Sequence, residues 1–536
     1  MAKPLREVDF LALVAAGLCV VMGYLSLQAL NPDGVSYLDL AGAMQRGDWR
    51  HFVQGYWSPL FPLITGGIGL TVGRAGPDLV PVTHIINTVA ALGAIFVLWR
   101  WARRAASTEA PSAIGRAFLA AFLICSAGLP RIEAVTPDVI LLLVMTWLGY
   151  ELIVHGSRRW VLIGALLGIS FLTKTSSWPW LLVAIPLRFW AAAGTTARRQ
   201  VLLSSLVCAG IVLTWVVPMS IKYGRPTLGS SGALNYSWYI AANTSRLPDT
   251  DRGTNSAYHD VEVGNGRLLT VVQFDDAAYW TYQPWGDPTA WATKVLTETG
   301  RKPALDEMVM YWLRLTARVF GLWLGPLILC GILPWVLLRR RRGMLRELVT
   351  TQRAALVVIL LGLTGLLQFA AIHAEPRLIA PFGLMLALGT IHWCFVEQDA
   401  STGLTSSLLL RRCLGWFGAA AIVCFTVFRF GDALQSAKRL RGVIAQLDEL
   451  RAGIAMSSGG PVPIAVVGPV APIMASAFWA NAHIAMQVAP GYAALVATLP
   501  KQEQDDLLLT LFRGKVPMIW RTSADGGMEM LVVPPN

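Results

Sequence analysis

Apolar runs of membrane-spanning length, repeated along the chain and separated by basic connectors, restrict what this sequence can fold into more than any other feature. They fall near residues 9–30, 78–101, 116–130, 137–154, 160–173, 176–192, 200–220, 314–338, 354–372, 376–396 and 412–428. In hydrocarbon every backbone N–H and C=O must find its partner inside the protein, so runs of this kind fold as helices. Composition agrees: 55% of the 536 residues are hydrophobic, 14% are charged and the mean hydropathy is +0.54, outside the range of soluble domains. The net charge of +12 sits in short clusters between the runs, "WRWARR", "HGSRRW", "TTARRQ", "RRRRGMLRE" and "LLLRR". That placement follows the positive-inside rule and argues against a nucleic-acid surface.

With every basic cluster in the cytosol, the chain crosses the inner membrane about eleven times, with the N-terminus inside and the C-terminus outside. The basic start "MAKPLREVDF" leads into the first run without a small-residue cleavage site, as a retained signal anchor does. The run "SPLFPLITGGIGLTVG" is short and broken by Pro and Gly, and counting it as a span would invert every later loop; it is expected to be interfacial or re-entrant. The seven Cys residues lie in or beside apolar runs without metal-ligand spacing, which argues against a zinc site or a disulfide framework. The expected fold class is mainly α, a polytopic helical membrane protein. Its membrane domain covers 1–430, with outer loops 31–77 and 222–305. The tail from Gly431 reads as a small α/β domain outside the membrane, with strands at "PIAVVG" and "MEMLVVP" and helices at "RLRGVIAQLDELRAG" and "QEQDDLLLTLF".

The candidate chemistry lies on the outer face. In "NPDGVSYLDLAGAMQRGDW", Tyr37, Leu40, Ala41 and Met44 fall on one face of a helix lying on the membrane surface. Ser36 and Asp39 fit a capping box, and Gly47 fits a C-terminal stop. Asp39 thereby has a structural duty as well as candidacy for substrate binding, whereas Asp33 sits just ahead of the helix at the end of the first span, either in an ordinary Asn-Pro-Asp-Gly turn or with a functional duty. Lys174, in "GISFLTKTSSWPWLL", has apolar sequence on both sides, where an ionisable group is costly and by default functional, a lysine snorkelling to the interface being the alternative. Arg131 and Glu133 sit in "GLPRIEAVTPDVI", where Asp138 behind Pro137 could equally be a helix-start residue. "HAEPRLIAP" groups His373, Glu375 and Arg377. Cations on the outer face run against the positive-inside trend, so Arg131, Lys174 and Arg377 ask for an anionic partner, and a phosphate at the interface satisfies them.

Transfer of a sugar from a lipid-linked phosphate to a hydroxyl needs this kit. The leaving phosphate requires cations and no general acid, and the acceptor hydroxyl requires one carboxylate base. Tyr56, Trp57, Tyr236, Trp238, Trp280 and Trp285 are candidates to pack on sugar faces or isoprene units. The paired carboxylates of a glycoside hydrolase are a poorer fit. A transporter or flippase of lipid-linked sugars, or a non-catalytic binder of them, is the alternative, although no internal repeat is visible.

"PDGVSYLDLAGAMQRGDW", "YWSPLFPLI", "RIEAVTPDVILLL", "GISFLTKTSSWPWLL" and "HAEPRLIAPFGLML", in this order, resemble the outer-loop signatures of GT-C fold membrane glycosyltransferases, in particular the aminoarabinose transferases and protein O-mannosyltransferases. The resemblance implies Asp33 as the catalytic carboxylate and Lys174, Arg377 and Arg131 as donor-phosphate ligands. It further implies a polyprenyl-phosphate-linked sugar donor and a lipid, glycan or protein acceptor. No organic cofactor is implied. Gly34 follows Asp33 where many relatives carry a second acidic residue, which leaves a divalent cation as an open alternative. Ser58 stands where the aminoarabinose transferases tend to have Lys, so their acceptor does not carry over.

Overall fold

The computed structural model describes residues 3–108, 131–240, 258–263, 267–274, 279–289, 305–319, 352–373, 375–395, 431, 462–468, 470–488, 493, 496–522 and 528–534. Its helices are α1 (Lys3–Leu25), α2 (Pro32–Gln45), α3 (Trp49–Phe52), α4 (Leu60–Val72), α5 (Leu79–Thr108), α6 (Asp138–His155), α7 (Trp160–Thr173), α8 (Trp178–Ala191), α9 (Gly194–Lys222), α10 (Ser231–Tyr239), α11 (Gln283–Gly286), α12 (Leu305–Val319), α13 (Arg353–Ala370), α14 (Pro376–Phe395), α15 (Val470–Trp479) and α16 (Lys501–Phe512). The strands are β1 (Tyr258–Val263), β2 (Arg267–Gln273), β3 (Val462–Val467), β4 (Ala482–Val488), β5 (Met518–Thr522) and β6 (Met528–Val532).

Five of these helical segments are long and apolar enough to cross a membrane: Val8–Leu25, Gly76–Arg104, Asp138–His155, Gly194–Lys222 and Arg353–Ala370. This is the body of a multi-pass membrane protein. The expected spans near 116–130 and 412–428, most of that near 314–338, and the expected helix at "RLRGVIAQLDELRAG" lie outside the described residues. In lipid there is no hydrophobic gain from joining apolar helices, so close backbone approach through small residues does the packing. On α7, a Cβ added at Gly164 would lie 2.4 Å from the Ser204 carbonyl oxygen of α9. On α13, one added at Gly362 would lie 2.6 Å from the backbone nitrogen of Leu386 in α14.

The helix ends sort into two levels. Asp33, Asp138, Lys174, Lys222 and Arg377 stand at one end; the basic connectors after α5, α6 and α8 stand at the other, where Trp99 Nε1 donates to Asp9 Oδ1 of α1 at 2.8 Å. At the first level lies an outer layer. Helix α4 has 13 residues, about 20 Å, too short to cross a bilayer. It packs on α2 instead, Gly66 lying where a Cβ would meet the Ala41 carbonyl oxygen at 2.9 Å. Above them is one mixed sheet of order β1-β2-β4-β3-β5-β6. Strand β3 runs parallel to β4 and β5; the other pairings are antiparallel. The tail supplies the last four strands and the 222–305 loop supplies the first two, so the two regions read separately from sequence share one ladder through Val271 opposite Val488.

Helix α2 corrects one expectation. It begins at Pro32, with Asn31 at the N-cap, four residues ahead of Ser36, so Ser36 and Asp39 lie inside the helix and form no capping box. The reason is chemical: proline at the first helical position has φ set for the helix and no N–H to satisfy. Ser36 Oγ instead donates to the Trp285 carbonyl at 3.0 Å. Asp39 accepts from the Thr281 N–H and from Thr281 Oγ1, both at 2.9 Å, tying α2 to the loop below the sheet. Gly47 does end the helix, at φ 70°, with Asp48 N–H on the Ala43 carbonyl and Gly47 N–H on that of Met44.

Two outcomes follow. Gly362→Leu overpacks the α13–α14 contact and costs about 1–3 kcal/mol, read as a lowered unfolding temperature in detergent, whereas Gly383→Ala, with nothing within 4 Å of its Cβ, leaves it unchanged. Burial pushes the Asp39 carboxyl up to about 7 against the pull of both Thr281 bonds and of Arg46. The folded state therefore holds a proton the unfolded chain has lost, and stability falls as pH rises from about 4 to about 7. Asp39→Asn, which keeps an acceptor and a donor for Thr281, flattens that slope in unfolding scans across this range.

Candidate functional site

Two loops meet before the site is built. The ring nitrogens of His84 lie 2.7 and 2.8 Å from the carbonyl oxygens of Ala29 and Ile132, and Asn87 donates to Ala134 at 3.0 Å. Asn31 Oδ1 accepts from the Val135 N–H at 2.8 Å. The end of the first span is thus fastened to the loop preceding α6, which brings the first turn of α2 beside the first turn of α6. Each turn carries a carboxylate, Asp33 and Asp138, where the positive end of the helix dipole favours it.

Arg377, in the first turn of α14, joins them. Its Nη2 donates to Asp33 Oδ2 at 2.6 Å and its Nε to Glu375 Oε2 at 2.7 Å, while Asp138 Oδ2 lies 3.8 Å from Nε. Lys174, at the C-terminal end of α7, pairs with Asp138 Oδ1, and Thr136 Oγ1 donates to Asp138 Oδ2 at 3.0 Å. Glu375 also contacts His373 Nε2 at 3.0 Å, and the His373 ring stacks on Tyr239 with centroids 3.8 Å apart. The bonds from His373 and Arg377 hold the Glu375 carboxyl well below the usual carboxylate range. The result is an alternating chain of charge, Lys174–Asp138–Arg377–Asp33, with Glu375 closing the side. Asp138 is 4% exposed, and the side chains of Lys174, Arg377 and Asp33 are 16–21% exposed.

Of the three expected cations the structure brings together two. Arg131 has a different partner, Glu133 at 3.9 Å, and is half-exposed. The expectation that Lys174 and Arg377 await an anion is modified: three carboxylates already answer two cations. Two capacities remain open. Asp33 Oδ1 and Arg377 Nη1 make no hydrogen bond to a described residue, and Lys174 has one partner for three N–H donors. Among the described residues no group of three or more His, Cys, Asp or Glu side chains is set to hold a metal.

Four of the six aromatic candidates, Tyr56, Trp57, Trp238 and Trp285, sit in a knot over Tyr37, while Trp280 lies edge-on to His51 at 6.0 Å. Trp57 lies 5.0 Å from Tyr37 and 5.5 Å from Trp285, and Tyr56 lies 4.7 Å from Trp57 and 5.5 Å from Trp238. Trp57 Nε1 donates to the Trp285 carbonyl at 2.8 Å. Trp57, Trp280 and Trp285 are buried, so their rings pack the outer layer; Tyr56 and Trp238 are half-buried and Tyr236 is exposed. Ser58 is also committed, accepting from the Thr175 N–H at 2.8 Å and fixing the turn that carries Lys174. Two residues were not singled out from sequence. Tyr239 orients His373, and Tyr37, read only as part of an apolar face, is buried within range of the charges of Asp138 and Asp33, which add to burial in pushing its phenol up. A tyrosine one helical turn after the candidate base was the available signal.

No protein-family model matches the chain, and no curated protein matches it. Solved structures do. ArnT from Cupriavidus metallidurans bound to undecaprenyl phosphate is 15% identical over 96% of this chain and 93% of that one, with a TM-score of 0.50. The apo state of the same protein covers 92% of its chain at 15% identity, with a TM-score of 0.53. The oligosaccharyltransferase of Archaeoglobus fulgidus in complex with Zn and sulfate is 10% identical over 96% of this chain and 68% of that one, with a TM-score of 0.48. The ArnT likeness shows the fold: a mainly helical membrane body of the GT-C type.

Proposed function

We propose that this chain is a membrane glycosyltransferase that moves a sugar from a polyprenyl-phosphate donor to an acceptor hydroxyl, at the membrane face on which α2 lies, with inversion at the anomeric carbon. The observation that carries the reading is the meeting of Asp33 and Arg377, 344 residues apart in the chain, at 2.6 Å beside Lys174. The fold shared with a protein crystallised with undecaprenyl phosphate supports the donor class.

The chemistry follows from charge. A sugar phosphodiester carries one negative charge, and the departing polyprenyl phosphate gains a second as the C1–O bond breaks and its electron pair moves to oxygen. Cations beside it are therefore worth more in the transition state than in the ground state, which is the condition for catalysis. The spare donors of Lys174 and Arg377 Nη1 reach the phosphate while their carboxylates hold them in place. The acceptor hydroxyl forms the new bond to C1 from the opposite side and gives its proton to Asp33 Oδ1. Because Oδ2 is tied to Arg377, the carboxylate is fixed in orientation, as a general base must be.

Asp33→Asn keeps the bond to Arg377 but cannot take the proton, so turnover with a polyprenyl-phosphate sugar falls about 10²–10⁴-fold while the donor still binds. Retained turnover within a few-fold of wild type removes Asp33 from the role. Lys174→Met leaves buried Asp138 unpaired, lowers the unfolding temperature and raises the donor KM. In Lys174→Met with Asp138→Asn the unfolding temperature recovers and the raised donor KM remains; recovery of both marks Lys174 as structural.

A further inference from the structure

At the opposite end of the helices lies a cleft of about 320 Å³, lined from the α6–α7 connector, the end of α8, the start of α9 and the start of α13. It stands one length of α6 away from Asp138, about 26 Å. Arg188 of α8 lines it and is 4% exposed. Its Nη1 donates to Ser204 Oγ at 2.9 Å; its Nη2 is buried with no partner, and no carboxylate among the described residues pairs with it. A buried guanidinium without a counter-ion is costly, and in a membrane protein such a group is retained for a ligand or a partner.

The surroundings indicate which ligand. His155 lines the same cleft, 3.9 Å from Glu151, a carboxylate that Arg159 engages more closely at 3.2 Å. Arg158 is exposed at the mouth. Apart from Ser157, whose Oγ donates to Gln200 Oε1 at 2.9 Å, the rest of the wall is apolar, with Ala191, Val201 and Val357. Beside the cleft, exposed Trp190 and Phe189 carry Arg353 and Arg198 at 5.9 and 5.5 Å from their rings, the aromatic and cationic pairing found at headgroup depth. We propose that this cleft binds the phosphate group of an anionic membrane lipid, with Arg188 Nη2 as its buried donor, Arg158 at its mouth and the apolar wall against the glycerol and first acyl carbons. The site is separate from the Asp33–Arg377 cluster and does not depend on the reading of that cluster.

Native mass spectrometry of the full chain released from phosphatidylcholine nanodiscs doped with phosphatidylglycerol tests it. Wild type retains phosphatidylglycerol, and R188Q lowers retention about tenfold or more, the loss of a charge-assisted contact. A193E places a carboxylate at the exposed rim without touching Arg188, lowers retention in the same direction, and serves should R188Q fail to fold. D33N retains the lipid as wild type does. Inorganic phosphate added to the detergent-solubilised protein is the second arm: a raised unfolding temperature for wild type and not for R188Q, with no lipid retained, keeps the phosphate site but assigns it to a soluble anion. Unchanged retention in both R188Q and A193E, with no effect of phosphate, overturns the proposal.

Discussion

The guanidinium of Arg377 is the point on which the site depends. It stands at the N-terminal end of α14, where the helix dipole opposes a cation, and it is held there by Asp33, Glu375 and the more distant Asp138. Asp33 and Asp138 arrive on two other segments, so the position of Arg377 fixes α2, α6 and α14 relative to one another. Asp138 passes the constraint on to Lys174. In a partly dehydrated setting such a chain of opposite charges is stable only when every member has its neighbour, and removing one strands the next.

The outer layer serves that arrangement. The aromatic rings over Tyr37, the bonds of Ser36 and Trp57 to the Trp285 carbonyl, and the bonds of Thr281 to Asp39 press α2 between the membrane helices and the sheet. The first turn of α2 carries Asp33, so whatever orders the layer orders that carboxylate. The sheet does this with strands from two distant regions, and β2 next to β4 closes the layer across more than 200 residues of sequence.

How much of this was legible in the sequence differs by residue. Asp33, Lys174 and Arg377 stood out because a charge in or beside an apolar run is costly and asks for a reason. Glu375 and His373 were visible as neighbours of Arg377 in "HAEPR". The start of α2 was misread because Ser36 to Asp39 imitates a capping box while Asn31-Pro32 is an equally regular start, and only packing chose between them. Composition places the candidate tryptophans near an interface but does not say which of them are covered, as Trp57, Trp280 and Trp285 are.

The sequence by itself determined the membrane body, the segregation of basic connectors from the polar loops, and which charged groups stand in or beside apolar runs. These are local properties: apolar length, backbone satisfaction in lipid and the cost of a charge read directly from short stretches. Tertiary structure decided which charges pair, that Arg131 stays outside, that Asp39 binds Thr281, and that the loop and tail share one sheet. Such contacts join residues up to 344 apart. Their energies depend on burial and geometry that no window of sequence contains.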